Sequence, residues 1–139
     1  MQAFLAEGRD LQVASINRDG TPHLVTMWYL VQDGAVGFWT YGKSQKVLNL
    51  RRDPRVTVLV ATGARYEELR GVSIAGRAEI VEESDALLAF GLRLQERYWG
   101  AVDDVARAGV GKQATKRVLV LVHPESVVSW DHSKLGGSY

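Results

Sequence analysis

The chain has 139 residues, 46% hydrophobic and 24% charged, with 17 Lys and Arg against 16 Asp and Glu for a net charge of +1. This is an ordinary composition for one soluble domain with a single core, and the near-even balance argues against a general polyanion binder. There is no cysteine, which excludes disulfides, thiolate metal sites and cysteine nucleophiles and fits a reducing compartment.

The opening residues, MQAFLAEGRD, lack a basic segment followed by a long apolar run. Apolar runs such as Val118 to Val122 are too short to span a bilayer. A soluble, cytoplasmic protein is therefore expected.

Leu11 to Ile16 reads as a strand, followed by a turn at Asp19-Gly20. His23 to Gln32 reads as a second strand, Asp33-Gly34 as another turn, and Ala35 to Tyr41 as a third strand, which together suggest an antiparallel meander. At Gly42 the pattern changes: Ser44 is a plausible N-cap, Val47, Leu48 and Leu50 form an apolar face, and Asp53-Pro54 ends the helix. Arg55 to Thr62 returns to strand, and Leu69 to Glu83 is a long one in which Gly71 and Gly76 suggest a bend or bulge.

Ser84 reads as the cap of a longer helix carrying Leu87, Leu88, Leu92 and Leu94. Ala101 to Thr115 is a looser segment, Lys116 to Trp130 reads as two strands broken at Pro124, and Asp131 onward as loop. The sum is a mainly β chain, a single domain over residues 1–139, with six or seven antiparallel strands and two main helices. A small closed barrel with flanking helices is the economical solution, because closure removes exposed edges.

The segment from Thr40 to Val56 holds Lys43, Lys46, Arg51, Arg52 and Arg55 against one acid, Asp53. Lys43, Ser44 and Lys46 stand where a strand gives way to a helix, so unpaired N–H groups, the positive dipole end and two ammonium groups converge on a spot suited to phosphate or carboxylate. The arginines fit either a similar role or a solvated cationic face. Aromatic residues cluster at Trp28-Tyr29, Phe38-Trp39-Tyr41 and Tyr98-Trp99. One face of the third strand must point away from the barrel, where its rings could bind a flat ring system or close a dimer interface. His23, His123 and His132 have no metal-ligand spacing, so no metal site is expected. No nucleophile elbow or triad is evident, so redox activity would need a bound cofactor.

TMWYLVQDG, KSQKVLNLRRDPRVTVLV, YEELRGVSIAGRAEIVEE, ERYWG and SWDHSKLGG, taken in order, resemble the split β-barrel flavin and deazaflavin oxidoreductases related to pyridoxamine 5′-phosphate oxidase. Within these they look most like the branch using coenzyme F420. The resemblance implies a homodimer with cofactor grooves at the subunit interface, no membrane or nucleic-acid partner, and a small-molecule substrate. It also implies a ring beside Trp39, Thr40 and Tyr41, and a cofactor phosphate held at Lys43, Ser44, Gln45 and Lys46, with Asn49 in the same segment.

Where the true oxidases carry an Arg-Lys pair, this chain has Gln45-Lys46, and the missing guanidinium removes a bidentate phosphate contact. That favours F420 over FMN. Trp28, Tyr66, Tyr98, Trp99, Trp130 and His132 are the candidate substrate pocket, with His132 the candidate proton donor. The expected function is reduction of a planar conjugated molecule by hydride from reduced F420. The alternatives are an FMN-dependent oxidoreductase of the same fold and a non-catalytic flavin, deazaflavin or haem binder.

Overall fold

Valine and leucine alternate with small or polar residues along most strands of this chain, and the apolar set shares one face. The computed structural model describes residues 2–135. The elements run α1 (Gln2–Glu7), β1 (Leu11–Ile16), β2 (Pro22–Met27), β3 (Leu30–Gln32), β4 (Ala35–Tyr41), α2 (Gln45–Arg52), β5 (Arg55–Thr62), β6 (Arg70–Val81), α3 (Ser84–Trp99), α4 (Asp104–Ala114) and β7 (Arg117–Asp131). Short 3-10 turns lie at Tyr66–Glu68 and His132–Leu135. Seven strands form one antiparallel sheet in the order β2-β1-β5-β6-β7-β4-β3. None of the described helices is long and apolar enough to cross a membrane.

The chain itself forces this sheet to curl. β2 and β3 stand at its two edges, yet only Trp28 and Tyr29 separate them in sequence. Laid flat, the edges of seven strands would be about 29 Å apart, whereas Met27 and Leu30 can be at most about 11 Å apart. The sheet therefore rolls into a split barrel. Its inner face carries Leu11, Val13, Val36, Phe38, Val58, Val60, Val72, Ile74, Val120 and Val122, all buried, with Val47 and Leu50 of α2 and Leu5 of α1 plugging the core.

Six features differ from the sequence reading. The stretch His23 to Gln32 is two strands, because β2 pairs only with β1 and β3 only with β4, so the first three strands are not a meander. Residues 104–114 form a helix: Asp103 accepts a bond from the Ala106 N–H at 2.7 Å and Val110 is buried. Gly109 and Gly111 each cost about 1 kcal/mol of helix propensity against alanine, and packing on α3 outweighs this. β7 continues through Pro124, since a register shift opposite Ala75 and Gly76 absorbs an extra residue where the proline lacks a donor. A Cβ at Gly76 would fall 2.0 Å from the His123 carbonyl, so the bulge there requires glycine. Ser84 is the first residue of α3 and Glu83 its cap. The helix α1 and the 3-10 turn at His132–Leu135, in a stretch read as loop, complete the differences.

The turn Asp33-Gly34 has φ values of 51° and 81°, the geometry of a tight hairpin with both central residues left-handed.

The seam at Trp28-Tyr29 is held from outside the sheet. The Arg97 guanidinium of α3 donates to the carbonyls of Ala6, Gly8 and Tyr29 and lies 4.5 Å over the Tyr29 ring and 5.0 Å over the Tyr98 ring. The Tyr98 hydroxyl accepts from the Tyr29 N–H at 3.2 Å and donates to the Arg9 carbonyl at 2.7 Å. Tyr29 itself is fully buried and donates to the Leu5 carbonyl; burial pushes its hydroxyl pKa up. Arg97→Met should cost about 2–4 kcal/mol in denaturant unfolding, because three carbonyls lose a charged donor. Arg97→Lys should recover less than half of it, a point charge being unable to span them. A loss under about 0.5 kcal/mol would contradict this reading of the seam.

Candidate cofactor and substrate site

Two features meet at the end of β4: a strand-to-helix turn and a face covered by α3 and α4. Alternation sends Phe38 into the barrel and Trp39 to the opposite face, beneath Leu87, Phe90 and Leu94 of α3. Thr40 turns inward again. Its hydroxyl accepts from the Lys46 ammonium at 2.9 Å.

Lys46 is only 8% exposed. Among the described residues Thr40 is its one hydrogen-bond partner, and no carboxylate pairs with it. Burial lowers its pKa below the usual lysine value, and the nearby Arg117 charge adds to the effect. Two positions earlier, Ser44 has the extended backbone of an N-cap but its side chain caps nothing. Its buried Oγ has no partner among the described residues. A buried hydroxyl and a buried ammonium, both short of partners at the start of α2, can receive an anion.

The other predicted cofactor residues are spread around this point. Lys43 and Tyr41 are exposed and line a cleft of about 550 Å³ with Arg51, Lys116 and Arg117. Gln45 turns away, donating to the Asn49 Oδ1 at 2.8 Å, and lines a shallow hollow with Asn17, Arg18, Asp19 and His23. Asn49 is fully buried, and its amide donates to Ser15 at 3.1 Å and Asn17 at 2.9 Å. Its carbonyl accepts from Gln45 and from Arg52. Asn49 thus ties α2 to β1 and the following turn, and positions the helix without reaching the surface.

The six predicted substrate residues fall into two groups. Trp28 stacks on Tyr98 with centroids 4.2 Å apart and planes 3° from parallel, and meets Trp99 edge-on at 5.7 Å. Trp28 and Trp99, with Trp39, line a cleft of about 730 Å³ that also takes in Thr26, Gln95, Gln113 and Arg117. The Trp39 Nε1–H is buried there without a partner among the described residues, and the Arg117 guanidinium lies 5.3 Å over its ring. Tyr66, Trp130 and His132 are elsewhere. The His132 ring sits 4.8 Å from that of Tyr66, with its Nδ1 3.0 Å from the Tyr66 carbonyl. Trp130 covers Gly71, where a Cβ would come within 2.3 Å of the indole. None of these three lines the tryptophan cleft.

Sequence reasoning missed Gln95, Gln113, Lys116 and Arg117. The only signal was charge at the start of β7, and it lost meaning once the preceding helix was read as a loose segment.

The pyridoxamine 5′-phosphate oxidase family model matches residues 1–131, and the chain belongs to this family. No curated protein matches the sequence. Among solved structures, the conserved hypothetical protein Rv2991 from Mycobacterium tuberculosis is 46% identical with a TM-score of 0.91, over 99% of this chain and 86% of that one. A structure described as F420 reductase is 25% identical with a TM-score of 0.74, over 91% of this chain and 94% of its own. HutZ, the haem storage protein from Vibrio cholerae, shares the fold at 17% identity and a TM-score of 0.73, over 91% of this chain and 89% of that one.

Lys46→Met should leave the ligand-free protein at least as stable as wild type, because it removes a charge that is buried without a counter-ion. The folded pKa of Lys46 lies below its unfolded value, so the unfolded chain binds more protons between the two. Wild-type stability relative to Lys46→Met should therefore rise with pH as it passes from the folded pKa towards about 10.4, the unfolded value. Differential unfolding of the two proteins from neutral pH up to the unfolded value reads this directly.

Proposed function

We propose that this protein is a homodimeric reductase that transfers hydride from reduced coenzyme F420 to a planar conjugated small molecule. The observation that carries the reading is the partner-poor pair Ser44 and Lys46 at the start of α2. It fits a cofactor phosphate, and Lys43 stands beside it at the surface. Gln45 presents no cation there, which supports F420 over FMN. The 25% identical F420 reductase supports the same choice.

Reduced deazaflavin supplies a two-electron, hydride-type donor when bound. The chain's own residues then have three tasks: to anchor the phosphate, to hold a flat acceptor against an aromatic wall, and to keep water from the reacting face. His132 is a proton donor only as imidazolium. Its Nδ1–H points to a carbonyl, so in the neutral ring Nε2 carries no proton. His132 lies off the tryptophan cleft of its own chain, so a role as proton donor there requires a second protomer to bring one to it.

The outer sheet face supports dimerisation. Two rows of facing residues, Leu24-Ala14-Thr57-Ala75-Ser126 and Thr26-Gln12-Leu59-Ser73-Val128, run across β2, β1, β5, β6 and β7 without a charge. Leu24 is 67% and Val128 59% exposed at the two ends of this uncharged face. Light scattering should give twice the 15.4 kDa chain mass, and Leu24→Glu with Val128→Asp should return it to the monomer value. A wild-type monomer would contradict the dimer.

Titration with F420 and FMN side by side tests the cofactor. Micromolar F420 binding with at least about tenfold weaker FMN binding is expected, the difference one lost guanidinium contact would make. Equal or reversed affinities would overturn the F420 reading, and binding of haem alone would favour a carrier. Lys46→Met should weaken F420 binding by about tenfold or more.

A further inference from the structure

The tryptophan cleft and the basic cleft share a residue. Arg117 lines both, and its guanidinium is held over the Trp39 ring at 5.3 Å. We propose that the two clefts are one bipartite substrate site, joined at Arg117, which takes a planar conjugated molecule bearing a carboxylate side chain. Only the word substrate rests on the reductase reading above; the preference for a flat acid stands on the clefts themselves.

The first half selects for flatness and for an oxygen. Three indoles, Trp28, Trp39 and Trp99, line it, and Trp28 is already fixed by its stack on Tyr98. Its volume of about 730 Å³ lies in the range that encloses a small polycyclic ligand. Trp39 is 7% exposed and its Nε1–H finds no acceptor among the described residues. A buried donor in that state gains from an oxygen brought in by the ligand. Gln95 and Gln113 add neutral amides, and no carboxylate lines this half.

The second half selects for negative charge. Its one carboxylate, Glu82, is taken by Arg51 at 2.5 Å. Lys43, Lys116 and Arg117 line the same space, and no carboxylate pairs with any of them among the described residues. A carboxylate on a short chain from the ring would meet Arg117 first, in the forked geometry that suits a guanidinium. Ser44 and Lys46 line neither cleft, and the Lys46 ammonium is buried against Thr40.

Calorimetry with anthraquinone-2-carboxylate and its carboxamide, a flat ring with and without the charge, tests the assignment. The acid should bind the full-length protein at least about tenfold more tightly than the amide, as one charge-assisted contact implies. Arg117→Gln should reduce that preference to under about threefold while amide binding changes little. If Arg117→Gln does not fold, Lys116→Gln, at an exposed position, should reduce it in part. Equal binding of acid and amide to wild type, or a preference untouched in the variant that folds, would overturn the proposal. Repeating the titration with saturating F420 separates substrate from cofactor. Retained acid binding supports a substrate site, whereas displacement would give the clefts to the cofactor's own acidic groups and overturn the assignment. If the acid binds selectively but reduced F420 never reduces the quinone, the bipartite site stands and the reductase reading fails.

Discussion

An ammonium group removed from water needs a counter-charge, and among the described residues Lys46 is supplied with only one neutral hydroxyl. Everything at the β4 to α2 junction follows from holding that group in place. Alternation on β4 sends Thr40 inward to meet it, and the start of α2 sets Ser44 at the cap with its hydroxyl unengaged. The fully buried Asn49 locks the helix to Ser15 of β1 and to Asn17 in the following turn through its amide. A protein selected for stability alone would place a hydrophobic side chain at position 46. Retaining a partly satisfied cation makes sense when an anion completes the set.

The same junction depends on how the barrel closes. Because Trp28 and Tyr29 must carry the chain from one edge of the sheet to the other, they leave the hydrogen-bond ladder. The N–H and carbonyl of Tyr29 are taken instead by Tyr98 and Arg97 of α3. That fastening draws α3 across β4. It sets Trp28 against Tyr98 and leaves Trp39 at the floor of a cleft. Gly91 permits the approach, since a Cβ there would lie 2.8 Å from the Trp39 ring. Closure of the fold and construction of the aromatic cleft are one event.

The sequence was most legible where local rules decide structure. Valine alternation marked β1, β4, β5 and β6, the Asp-Gly pairs marked two turns, and Gly76 marked the bulge. It was least legible where long-range packing decides. Nothing local separates β2 from β3, because the break at Trp28 is imposed by edge closure. Two glycines hid α4, and with it the layer that forms the roof of the cleft. The candidate site divided along the same line. The basic turn could be read from residue types beside a helix start, as could the aromatic identities. Sequence could not tell that Trp28, Tyr98 and Trp99 share a cluster while Tyr66 and His132 form another, that Gln45 turns onto Asn49, or that Arg117 lies between two clefts.

Lys46 is the group proposed to receive a cofactor's anion, and proton linkage reads this most directly. Burial holds its pKa down in the free protein, and a phosphate placed against it would raise that pKa, so binding must draw in a proton wherever the free lysine is partly neutral. Calorimetric titration of F420 from neutral pH up to about 10.4, the ordinary lysine value, in buffers of differing ionisation enthalpy, measures this uptake. The prediction is a proton uptake that grows with pH in the wild-type protein and is absent in Lys46→Met. Tight binding by the wild-type protein with no proton uptake over that range would contradict it.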